Sequence, residues 1–71
     1  MMVLSKAKKH VTYTIQDIET SDEAMKDFLF SLGCHAGQAI TIISNFGSNM
    51  VVNINDARYS IDLELAKAII V

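Results

Sequence analysis

Two of the chain's three glycines, Gly33 and Gly37, fall within one five-residue stretch, and the residues on either side obey different periodicities. Before Gly33 the apolar residues recur at helical spacing and end on Leu32. After Gly37 they alternate from Ala39 onward. A left-handed helix cap costs least at glycine, which has no Cβ to clash. Gly33 is therefore expected to cap a helix, and Gly37 to aim the chain into a sheet. One strand and one helix are expected before this bend, and sheet after it.

A chain of 71 residues with a hydrophobic fraction of 51% is expected to form one domain with a packed core. Its single cysteine excludes an internal disulfide and fits a reducing cytosol. No apolar run approaches the roughly 20 residues of a spanning helix. The stretch from Met1 to His10 has too short an apolar part for a signal peptide, so a cytoplasmic location without membrane insertion is expected. A net charge of −2 argues against nucleic acid, whose phosphates need a clustered positive surface. Lys6, Lys8 and Lys9 do cluster, but without aromatics between them, and read as a solvated tail. Residues 1–9 are thus set off as a flexible arm and 10–71 as the domain.

Taken in order, Val11, Tyr13 and Ile15 alternate with Thr12, Thr14 and Gln16 in a half-buried strand running to Ile18. Thr20 with Glu23 three residues on makes a capping box for the helix. Ala24, Met25, Phe28, Leu29 and Leu32 share a stripe at 100° per residue, whereas Phe30 lies on the side of Lys26 and Asp27. Ile40 and Ile42 face inward in the next strand. Asn45 to Asn49 form a loop around Gly47, and Val52 and Ile54 face inward after it. Asn55-Asp56 opens a short hairpin turn, Tyr59, Ile61 and Leu63 alternate inward, Glu64 to Lys67 form a helical turn, and Ala68 to Val71 a last strand. The expected fold is mainly β: a small SH3-like barrel of about five strands, with one α-helix between strands 1 and 2.

Catalysis needs a nucleophile beside a base that a third group orients. Cys34 and His35 are neighbours, but nothing near them in sequence orients the imidazole, and no enzyme or cofactor is expected. His10, Cys34 and His35 are the candidate metal ligands, yet no Cys-x-x-Cys, His-x-x-x-His or Glu-x-x-His spacing supports them. Free cysteine is among the most buried residue types, and Cys34 reads as a small core residue. A groove for proline-rich peptides needs exposed aromatics; there is no Trp, and Tyr13 and Tyr59 are in phase with the inward residues. The expected partner surface is Lys26 and Phe30 on the helix, with Phe46 from the loop, a large apolar side chain on a polar face being what an interface anchor looks like.

Leu32-Gly33-Cys34-His35-Ala36-Gly37-Gln38-Ala39-Ile40 resembles the FeoA family, small accessory proteins of bacterial ferrous iron transport. Phe46-Gly47-Ser48-Asn49-Met50-Val51-Val52 and the closing stretch Ala57 to Val71 are similar to that family's later strands, so the resemblance runs from Leu4 onward. It implies an SH3-like barrel acting with the FeoB membrane permease, on its cytosolic GTP-binding part, and it leaves a homo-oligomer open. The alternative is a free-standing adaptor or metal-responsive domain resembling the C-terminal domain of iron-dependent repressors. The chain departs from the family pattern in places. Lys26-Asp27-Phe28 stands where basic residues are common, Cys34 where an aliphatic is usual, and Ala36 and Met50 where Pro often occurs.

Overall fold

The alternation after the glycines becomes an antiparallel sheet in the computed structural model, which describes residues 1–71. Strands β1 (Thr12–Thr14) and β2 (Asp17–Ile18) precede helix α1 (Glu23–Ser31). Strands β3 (Ala39–Phe46), β4 (Asn49–Ile54) and β5 (Ala57–Asp62) follow, then helix α2 (Leu63–Ala68) and strand β6 (Ile69–Ile70). A single 3₁₀ turn, Leu4–Lys6, opens the chain. No helix is long and apolar enough to cross a membrane.

The strands form two sheets, in the orders β1-β3-β4-β5 and β2-β6, rather than the expected closed barrel. The outer edge of β5 has no strand partner. The single strand expected over 11–18 is two, because the chain changes sheets at Ile15 and Gln16. Ile15 N–H bonds Gln38 O, whereas Gln16 N–H bonds Ile70 O. The helix therefore follows two short strands instead of one.

Ile40, Ile42, Val52, Ile54 and Ile61 line the inner face of the larger sheet, as the alternation predicts, and meet Ile15, Leu29 and Ile69 in the core. Both hairpins turn on two residues. Asn55 and Asp56 take φ of +53° and +61°, the left-handed pair that a type I′ turn needs and that Asn and Asp tolerate. At the other tip, β3 and β4 pair as far as Phe46 and Asn49, so the expected loop from Asn45 to Asn49 shrinks to Gly47 and Ser48. Gly47 supplies a φ of +61° there. A bulge at Ile43 shifts the β3–β4 register between Ile42 and Ser44.

Residues 1–9, set apart in the sequence as an arm, contribute Leu4 to the core, where it is fully buried. Val3 bridges Ile70, and Met2 and Val71 exchange both backbone hydrogen bonds, at 3.1 and 2.8 Å. Helix α2 is longer than the single turn expected and is capped by Asp62, whose carboxylate accepts from Leu65 N–H. Its capping leaves Leu63 exposed, against the inward position that alternation gives it.

Candidate functional site

Helix α1 begins two residues later than its capping box suggests. Thr20, Ser21 and Asp22 compete as caps, and Asp22 takes the position: its carboxylate accepts from Met25 N–H at 3.2 Å. Thr20 Oγ1 instead accepts from Asp22 N–H, bending the chain into the cap. The other end is a Schellman motif, in which Gly33 N–H bonds Phe30 O and Cys34 N–H bonds Leu29 O. Gly33 has the φ of +96° that the motif requires. Leu29 and Cys34, the apolar pair that accompanies such a cap, are both fully buried.

This cap places the residue after Cys34 back against the helix. The His35 ring stacks on Phe30 with centroids 5.3 Å apart and planes 21° apart. Lys26, one turn earlier, sets its ammonium 5.9 Å from the Phe30 ring centroid, within reach of the ring quadrupole. Lys26, Phe30 and His35 thus form one surface cluster, with Phe30 38% exposed. Gly37, at a φ of +91°, then closes the turn from His35 to Gln38. Gln38 Nε2 donates to Asn55 Oδ1 at 2.7 Å, tying this turn to the β4–β5 turn.

Phe46 does not join that cluster. The cluster lies beside Asn55, at one end of β4, and Phe46 lies at the other. Six residues of strand put them about 20 Å apart. Phe46 is 55% exposed and pairs with Asn49 beside the tip, where Leu63 N–H bonds Ser48 O.

Phe28 is a surface aromatic that the helical stripe placed in the core; at 47% it is more exposed than Phe30. Only Leu29 of α1 is fully buried, with Met25 and Leu32 partly so. The covered sector is therefore centred near Leu29, and Ala24 and Phe28 fall outside it.

The three candidate metal ligands are not brought together, and no three His, Cys, Asp or Glu side chains converge anywhere in the chain. His10 sits at a φ of +66° with its N–H on Ile42 O. Burial pushes the Cys34 thiol up from 9.0 to about 11, so at neutral pH it is not the thiolate that metals and electrophiles require. The unfolded thiol ionises near 9 and the folded one only near 11. The thiol's contribution to stability is thus constant below pH 9 and falls as pH rises from 9 through 11. Urea unfolding of wild type and Cys34→Ala at pH 7, 9 and 10.5 checks this: the gap between them should narrow at the highest pH, and a constant gap would refute it.

The FeoA domain family model matches residues 2–71. No curated protein sequence matches the chain. Among solved structures, the FeoA of Stenotrophomonas maltophilia, an SH3 domain protein crystallised with zinc, superposes with a TM-score of 0.88 at 19% identity, covering 99% of this chain and 88% of that one. The iron(II) transport protein A of Clostridium thermocellum gives 0.88 at 25% identity, over 97% of this chain and 43% of that one. A manganese-dependent transcriptional repressor gives 0.86 at 22% identity, over 94% of this chain but only 38% of its own. With its glycine turn and both hairpins accounted for and the family model spanning all but the first residue, the chain belongs to the FeoA domain family.

Proposed function

We propose that this protein is a non-enzymatic accessory factor of bacterial ferrous iron transport that docks on the cytosolic GTP-binding domain of a FeoB-type permease and biases its nucleotide switch. Family membership supplies the transport context. The observation that carries the docking surface is the exposed Lys26–Phe30–His35 cluster. It presents a part-exposed aromatic ring flanked by polar groups, the form of an aromatic anchor that a partner can bury. A small rigid domain that binds one nucleotide state more tightly shifts the equilibrium by that difference in affinity.

Calorimetric titration of the purified GTP-binding domain tests this. Phe30→Ala is expected to weaken binding by about 1–3 kcal/mol, with an unchanged circular dichroism spectrum because the buried Leu29 is untouched. Equal affinities would sink the helix-face surface. Phe46→Ala in the same titration reports whether the partner reaches the far end of the sheet; a comparable loss would extend the surface there. The second reading, a metal-responsive adaptor, is favoured by the repressor's structural likeness. It takes over if the wild type shows no affinity for the GTP-binding domain.

A further inference from the structure

The outer edge of β5 is the one long, open side of the larger sheet. Pairing through the two-residue turn makes Ile54 and Ala57 a hydrogen-bonded pair, and the alternation then directs Ala57, Tyr59 and Ile61 toward β4. The N–H and C=O groups of Arg58 and Ser60, and the N–H of Asp62, point the other way, and no backbone group elsewhere in the chain bonds them. Their side chains are all exposed and share one face.

Edge strands of monomeric proteins are commonly guarded by charge, since like charges meet when two copies align. The charges here do the opposite. Arg58 and Asp62 stand two residues on either side of Ser60. In an antiparallel pair of β5 strands centred on Ser60, each Arg58 faces the second copy's Asp62, and this happens twice by symmetry. Those positions are also the ones whose backbone groups point outward, so ladder bonds and ion pairs fall in the same register. The intervening pair sets half-buried Tyr59 against the second copy's Ile61 on the core side.

We propose that a second copy of this chain docks antiparallel along the outer edge of β5 in this register, joining two four-stranded sheets into one of eight. The contact is one short strand per copy, well below the area of a stable obligate dimer. The dimer is therefore a weak one, populated at concentrations on the order of 1 mM. The inference is independent of the permease reading, which uses α1.

Sedimentation velocity and amide hydrogen exchange on the full chain test it. Near that concentration, the wild type should show a dimer that protects the Ser60 and Asp62 amides. Ser60→Pro removes an outward N–H, a loss that an edge strand tolerates, and should abolish the dimer with the fold retained. Arg58→Asp, which also leaves the core untouched, should raise the dissociation constant about tenfold by setting like charges opposite each other. A wild type that stays monomeric at 1 mM would overturn the proposal, leaving any β5 edge ligand to be a different chain. So would a dimer that survives Ser60→Pro, or one whose affinity Arg58→Asp leaves unchanged.

Discussion

Replacing Leu4 with alanine is expected to cost about 2–5 kcal/mol, the range for a fully buried leucine whose cavity cannot collapse. Leu4 shows no solvent exposure, and it stands in a 3₁₀ turn held by Ala7 N–H on Leu4 O. A domain of this size has only about 5–10 kcal/mol in total, so the variant should melt about 8 °C lower or more, at roughly 4–8 °C per kcal/mol. Lys6→Ala, in the same turn but exposed, should be within about 0.5 kcal/mol of wild type. Differential scanning calorimetry of the two variants checks this. A Leu4→Ala domain that melts like the wild type would mean that the N-terminal segment does not belong to the core.

Gly33→Val should cost about 1–3 kcal/mol, from backbone strain at a φ that a β-branched residue does not adopt. A second term adds to this. A Cβ at Gly33 would lie 2.9 Å from Asn55 Nδ2, displacing the amide that holds Gln38 at 2.7 Å. Gly37 isolates the two effects: its φ of +91° is similar, but nothing lies within 4 Å of a Cβ there. Gly37→Ala should therefore show strain alone and Gly33→Ala strain plus the lost tie, measured as chemical unfolding midpoints. Equal losses at the two sites would show that the Asn55 contact contributes nothing.

Much of this was legible in the residues because local chemistry decided it. Gly33, Gly37 and Gly47 are at positive φ, and Asn55-Asp56 forms its turn, because few other residues suit those conformations. Ile40, Ile42, Val52 and Ile54 point inward because period-two alternation leaves a sheet no other way to bury them. What was not legible depended on contacts between distant segments. Helix phase follows the apolar residues, but the docked sector of α1 is narrower than the stripe, so Phe28 is outside and Leu29 alone is sealed. The run from Val11 to Ile18 looked like one strand because nothing local marks Ile15 as the point where Gln38 and Ile70 draw the chain into different sheets. Leu4 was hidden by its lysine neighbours. At the candidate site, Phe30 was visible as an aromatic on a polar face, whereas its stack on His35 required the Schellman geometry that folds the turn back.

The mutual hydrogen bonds of Met2 and Val71 make the domain, in topological terms, a ring broken at one bond. Its two ends leave the surface side by side, about one strand spacing apart. A host chain receiving this domain would experience it as a loop excursion, with its own flanking segments left almost in contact. With its ends adjacent, the same architecture can stand alone, close a longer protein or interrupt one. The exposed two-residue tip at Gly47 and Ser48 offers a second place to open it.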